Sequence, residues 1–543
     1  MAKKPEDIPL RSGDIHILAG KSFGPEKLIL DAMREIGLED MRVNAGANPW
    51  HAKMNVGAIV ARMCGRTSDR ASRRWLMSDS SLGLLMGIDF KDTSEMSLRR
   101  ASDALVASKE SLDEQLRAGF SPSVREAGGE QKGKGRIFRI DCTNVHYEGQ
   151  AKGNSLASRG HSKAKRFDCK LVSIAIAINE DGFIEIAHFL PGNVSEPSIL
   201  SDMLDGLGVR AGDTVMMDAG IFTEANRKLL ESRGILYVAP HSGLRENFNF
   251  RMADRVEMPD GNVVRAYRVA DPSGTFMEII GHSTERQKSD IEYTQTRCNR
   301  FKAEADSISK KLGDSGTRKD IRYIHERIGR LRQKYGVGKH FKIVVVPSDS
   351  DASQAASIIC TRVEVAGSKA DCPGVYRFRT NNLSLNAQEV VELYRTLVEI
   401  EAVFRCLKSE LGTRPIYHWT ADRANGHIYI ACLACQIVNH IRLKLKKKGI
   451  NYSWTTVKDL LDDCRLGAVL GVSSDGKDDV LIIQSTPPTK KVKTVYRAMG
   501  PGYGARIHLI LLAPHRKKRG APHRGRDGPT WAELKRFRVR CVE

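Results

Sequence analysis

Five short runs of β-branched and aliphatic residues crowd one stretch of this chain and restrict its fold more than any other feature. They are IFRIDC (137–142), LVSIAIAI (171–178), FIEIAHF (183–189), TVMMD (214–218) and ILYVA (235–239). Val and Ile fit a pleated, half-buried backbone, so each run predicts a strand. Asp181-Gly182, between the second and third runs, is a hairpin pair, and Asp181 reads as a turn former rather than a ligand. PSILSDMLDGL (197–207) and TEANRKLLE (223–231) show helical spacing, the latter with Thr223 as its N-cap. Together they predict an α/β core, a mixed sheet carrying helices, that starts near residue 137.

The flanks read differently. Residues 1 to about 130 are helix-rich in pattern: Pro25 opens PEKLILDAMREI, MNVGAIVARMC follows, and a third helix starts at Ser94 or Ser97. Leu98, Leu105 and Leu112 recur every seventh residue there, which fits a packing seam better than a zipper because the run is short. A Gly/Lys linker, GGEQKGKGR (128–136), separates this region from the strands. From 240 to 380 the pattern is mixed and highly charged, with amphipathic helices at 300–312 and 318–336 and a strand at 340–347. Their Lys and Arg are either a solvated face or a surface that follows a phosphate backbone. Helices return at 387–411, 420–448 and 455–464, and HRKKRGAPHRGRDG (515–528) reads as a basic tail.

Charge narrows the partner. The 543 residues carry 86 Lys+Arg against 65 Asp+Glu, a formal net charge of +21, and nucleic acid is the usual polyanion for such a surface. The eleven cysteines are odd in number and widely spaced, and the polar opening MAKKPEDIPLRSGD has no apolar core, so the expected compartment is the reducing cytoplasm. Cys432 and Cys435 form a CxxC inside an apolar run that reads as buried helix, without a second ligand pair for zinc. No run of eighteen uninterrupted apolar residues predicts a membrane span.

Cutting and joining phosphodiesters calls for hard oxygen ligands around divalent ions, and three acidic residues stand where such ligands are useful. Asp141 interrupts an apolar strand, where a charge is costly without a cation partner. Asp218 ends a strand ahead of Ala219-Gly220, at the edge where α/β proteins place ligands. In 390–411, read as one helix, Val390, Leu393, Leu397, Ile400, Phe404, Leu407 and Leu411 form the apolar stripe. Tyr394, Val398, Glu401, Arg405 and Lys408 stack along one flank of it, so Glu401 lies at the border of core and solvent beside two cations. From the residues alone, an edge charge, a loop cap and a salt-bridged surface helix are the favoured explanations of these three positions.

The strings RIDCTNVHYEGQ, GHSKAKRFDCK, HFLPGNVSEPSIL, VMMDAGIFTEANRKLL and FRTNNLSLNAQEVVELYRTLVEIEAVFRCLKSELGTRPIYHWTADRANGHIYIACLA resemble the catalytic region of bacterial insertion-sequence transposases of the DDE superfamily. The nearest group is the one with a Tyr…Arg…Glu…Lys signature, and the likeness spans about 90–500. It implies Asp141, Asp218 and Glu401 as the catalytic and metal-binding trio, with Tyr394, Arg405 and Lys408 on the DNA. The family arginine three residues after the tyrosine is Leu397 here, which puts one DNA contact in doubt; Arg405 is the proposed substitute.

The resemblance further implies an RNase H-like catalytic core with an inserted mixed domain and a helical N-terminal domain. The expected divisions are 1–130 (helical, DNA-binding), 137–240 (first part of the core), 241–380 (insertion), 381–470 (rest of the core with the Glu helix) and 471–543 (extension with basic tail). Two Mg2+ ions per site, replaceable by Mn2+, are the implied cofactor. Double-stranded DNA is the implied partner, as terminal inverted repeats and as target, bound by a homodimer in the nucleoid of a bacterial cytoplasm. A catalytically inactive DNA-binding relative and a hydrolytic nuclease of the same fold are the alternatives. Strand transfer separates them.

Overall fold

A computed structural model describes residues 9–12, 15–91, 93–120, 135–241, 248–257, 263–363, 372–504, 506–514 and 538–542. Most of the Gly/Lys linker, through 134, and the basic tail at 515–528 lie outside the described residues. The chain forms two compact units, one of Met1–Asp213 with Leu397–Glu543, the other of Thr214–Thr396.

The first unit opens with β1 (His16–Ser22) and the helices α1 (Gly24–Ile36), α2 (Leu38–Asn44), α3 (Pro49–Met63), α4 (Asp69–Ser78), α5 (Leu82–Met86), α6 (Glu95–Ala107) and α7 (Lys109–Phe120). It continues through β2 (Ile137–His146), β3 (Leu171–Ile178), β4 (Ile184–Pro191) and α8 (Leu200–Leu207). The second unit holds β5 (Thr214–Met217), α9 (Glu224–Ser232), β6 (Leu236–Pro240), β7 (Asp254–Glu257), β8 (Val263–Ala270) and β9 (Met277–Ser283). After these come α10 (Thr284–Lys311), α11 (Ile321–Tyr335), β10 (Phe341–Pro347), β11 (Ala355–Arg362), β12 (Val375–Thr380) and α12 (Ala387–Arg395). The chain returns to the first unit with α13 (Leu397–Arg405), α14 (Ala421–Lys446), α15 (Trp454–Leu461), β13 (Arg465–Val472), β14 (Asp478–Ser485), α16 (Lys490–Met499), β15 (His508–Pro514) and β16 (Arg538–Val542).

All five predicted strands form. In the first unit β2, β3 and β4 are consecutive antiparallel neighbours, with Asp141 opposite Ile176. Every residue of β3 is buried, as its unbroken apolar run LVSIAIAI requires. Gly182 takes the left-handed conformation (φ 80°) in the β3–β4 hairpin, which only glycine adopts without strain. In the second unit β5 and β6 run parallel across α9, whose Thr223 cap accepts from Asn226 N, and β6, β12, β9, β8 and β7 continue antiparallel. A separate cluster there packs α10 and α11 on the β10–β11 hairpin around Phe301, Ile324, Ile328 and Phe341. The protein is thus a mixed α/β fold.

The core of the first unit is built on α14. It is the one described helix long and apolar enough to cross a membrane, and 78% of that apolar window is buried inside the protein. Helices α3 and α6 pack on it, and Leu98, Leu105 and Leu112 are all buried, so the seven-residue stripe is a packing seam. Gly426 allows α6 to approach closely, since a Cβ there would stand 2.0 Å from Ser102 Oγ. Cys432 and Cys435 lie buried in the same helix as free thiols, and burial pushes Cys432 well above the ordinary thiol range.

Three sequence readings differ from the structure. The helix-rich first region contains a strand, β1, which pairs antiparallel with β13 (His16 opposite Leu470) in a five-stranded sheet completed by β14, β15 and β16. The helix expected through 94–116 breaks at Ser108 into α6 and α7. The helix expected over 387–411 is likewise interrupted. It ends at Arg395 and restarts at Leu397, and Thr396 N donates to Leu393 O at 3.0 Å, a tight local bond in place of a helical one. It then widens into a π turn, Cys406–Glu410, closed by Leu411 N to Cys406 O at 2.9 Å.

Candidate active site

Strand alternation places Arg139, Asp141 and Thr143 on one face of β2, and α13 packs on that strand. Arg139 is buried and meets Glu399 of α13 at 3.8 Å while donating to Asn179 O at 2.7 Å. Burial raises the Glu399 carboxyl above its ordinary value, and Arg139 opposes that rise. Two residues further along, Asp141 is half-buried.

Asp141 Oδ1 accepts from Cys142 N at 2.6 Å and lies 3.7 Å from Lys163 Nζ. Lys163 comes from the loop between β2 and β3, fixed by Asn144 Nδ2 donating to His161 O at 2.8 Å. Its ammonium also donates to Cys142 O at 2.6 Å and pairs with Glu196 at 2.8 Å. One cation therefore bridges two carboxylates. Lys408, in the π turn, is the next cation. Burial lowers it to about 8, with Arg414 and Lys163 adding repulsion and Asp141 opposing them.

Glu401 is exposed, one step further to the solvent side than the border position its spacing predicted. Arg405 is exposed too, and among the described residues no ion pair joins it to Glu401. Tyr394 belongs to α12, and its side chain lies outside the described residues.

Asp218 belongs to the second unit. It follows the fully buried β5 and is itself half-buried, with Oδ1 accepting from Ile221 N at 3.0 Å. One oxygen thus caps the turn, as the loop-cap reading expected.

Among the described residues, no group of three or more His, Cys, Asp or Glu side chains is gathered to hold a metal ion. The donor chemistry nevertheless fits one. Asp141 presents a half-buried carboxylate to a cation position that the Lys163 ammonium fills, and carboxylate oxygens are the ligands that Mg2+ prefers. Lys163 and Glu196 were not singled out in the sequence. Their signal was faint: a Gly- and Lys-rich loop (159–165) after an acidic strand, and a Glu ahead of Pro197.

A family model described as the transposase DDE domain matches residues 132–437, more than half of the chain and all of the residues just placed. No curated protein matches the chain. Members of that family move DNA segments by nuclease and transposition chemistry, and a carboxylate beside Lys163 and Lys408 suits a phosphodiester substrate. The chain belongs to the DDE transposase family.

Proposed function

We propose that this transposase cuts transposon ends and joins the freed 3′-hydroxyl to target DNA, using divalent ions held by Asp141, Asp218 and Glu401. The observation that carries the reading is the crowd of cations around Asp141. Lys163 is 3.7 Å away, and Lys408, lowered to about 8 chiefly by burial, interacts with Lys163, Arg414 and Asp141. Such a cluster attracts phosphate oxygens and leaves the carboxylate for metal. When bound, a pair of Mg2+ ions, with Mn2+ as a substitute, would activate the attacking oxygen and stabilise the leaving one.

The chain's own residues do the rest. Lys408 grips a non-bridging oxygen of the terminal phosphate, and binding of that phosphate restores its full charge. Lys163 leaves Asp141 for the same phosphate and keeps Glu196 as its anchor. Arg405 and Tyr394 contact the DNA flanking the cut. This assignment puts the protein in the Tyr-Arg-Glu-Lys group, with Leu397 in place of the group's arginine. The corresponding architecture is an RNase H-like core of 137–240 and 381–470 with 241–380 inserted, a DNA-binding region at 1–130 and a C-terminal extension at 471–543. Two transposon ends are paired by a homodimer in the bacterial cytoplasm.

The test uses the full-length protein, Mg2+ and duplexes carrying the inverted repeats that flank its own reading frame. Asp141→Asn, Asp218→Asn and Glu401→Gln should each abolish cleavage and strand transfer while end binding is kept. Cleavage by the Asp218→Asn protein at the wild-type rate would remove Asp218 from the site. Cutting without joining by the wild-type protein would make it a hydrolytic nuclease.

A further inference from the structure

The segment 413–420 carries two large rings that the fold leaves in solvent. Its backbone is tied down. Thr413 N and Oγ1 donate to Leu407 O at 3.0 and 2.6 Å, Ile416 N donates to His146 O at 2.9 Å, and Glu148 N donates back to Ile416 O at 2.9 Å. Side chains then alternate: Ile416 is fully buried, Tyr417 is 60% exposed, His418 packs on buried His427 with ring centroids 5.2 Å apart, and Trp419 is 76% exposed. Among the described residues, neither Tyr417 nor Trp419 has a hydrogen-bond or ring partner. A Trp and a Tyr held in water on a fixed backbone forgo the burial that such rings normally gain. Being already ordered, they would lose little freedom on meeting a flat partner.

Cations line one side of it: Arg414 lies in the same segment, and Arg414 and Lys163 both act on Lys408, while at His146 Arg166 and Arg414 are opposed by Glu148 and Asp168. Aromatic faces beside a positive backbone track are the two parts of a single-strand site. In a paired duplex each base face is covered by its neighbours, so a ring face needs an unpaired base. We propose that Tyr417 and Trp419 form a stacking platform for an unpaired nucleobase of the DNA strand whose backbone crosses Arg414, Lys408 and Lys163. Six residues of strand separate Asp141 from Tyr147, which bridges to Ile416. At about 3.3 Å per residue that is roughly 20 Å, or about six nucleotides along a strand. The spacing to the cut rests on the proposed role of Asp141; the platform itself does not.

The test compares binding of the full-length protein to a fluorescein-labelled oligothymidylate and to a duplex of equal length and unrelated sequence. Tyr417→Ala with Trp419→Ala should weaken single-strand binding about tenfold or more, and duplex binding by less than about twofold, because the phosphate contacts remain. Trp419→Phe should recover most of the single-strand affinity. Unchanged single-strand affinity, or an equal loss on both substrates, overturns the proposal. A change in oligomeric mass of the double variant also overturns it, because the rings would then cover a second copy of the chain. Asp141→Asn should bind oligothymidylate like the wild type yet fail to cleave, so the active-site reading and the platform fail by different measurements.

Discussion

Glu26 sits in the first turn of α1 with its carboxyl out of water, accepting from Ser80 Oγ at 2.7 Å and Ser81 Oγ at 3.2 Å. Burial outweighs these hydrogen bonds and raises it from 4.5 to about 7. Between those values the folded chain keeps a proton that the unfolded chain has released, so stability falls as pH rises through that window. Glu26→Gln should remove the slope and stabilise the protein at pH 8 by up to about 3 kcal/mol, read from denaturant unfolding at several pH values. Lys408 belongs to the same scale. Lys408→Ala should weaken DNA binding uniformly across sequences and reduce the salt slope by about one. A single residue's cost was legible in the sequence wherever a charge broke an apolar run, as at Asp141. Lys163 and Glu196 were not, because their relation to Asp141 is made by a loop folding back and leaves no periodic trace.

Among elements, the strands of β2 to β6 followed directly from their Ile and Val runs, and α14 from its apolar length. Breaks in helices were harder. Nothing apolar marks Ser108 or Thr396, and the stripe from Val390 to Leu411 continues through the interruption, so periodicity alone predicts one helix where two stand. Close approach between elements is equally silent in a single sequence. Gly426→Ala would set a Cβ 2.0 Å from Ser102 Oγ and 3.2 Å from Ser102 Cβ, and even after the hydroxyl turns away the second contact is tight. The expected cost is about 1–3 kcal/mol in thermal unfolding. Ser102→Gly in the same chain should recover part of it, and an unchanged midpoint for Gly426→Ala would mean the two helices separate freely.

Over the whole molecule, the charge of +21 pointed to a polyanion correctly in sign but not in place. Twelve Lys and Arg stand against six Asp and Glu on α10 and α11 in the second unit, where Lys302 pairs with Asp306 at 2.8 Å and Lys334 with Glu304 at 2.6 Å. Those pairs are surface contacts and contribute little stability. If six to ten phosphates are engaged, duplex affinity should fall about a thousandfold or more between 50 and 200 mM salt, measured by anisotropy. A much flatter dependence would mean that most of these cations never touch DNA.

The pairing of β1 with β13 has a consequence for how the protein is made. While a ribosome is still building the middle of the chain, the strand His16–Ser22 has no neighbour, since the residues that bond to it, up to Leu470, have yet to emerge. Strand β1 therefore cannot take its place in the sheet until late in synthesis. A premature stop or frameshift anywhere before that point removes the partner strand along with the lost sequence, so a damaged copy of the gene yields a chain that carries an open strand edge.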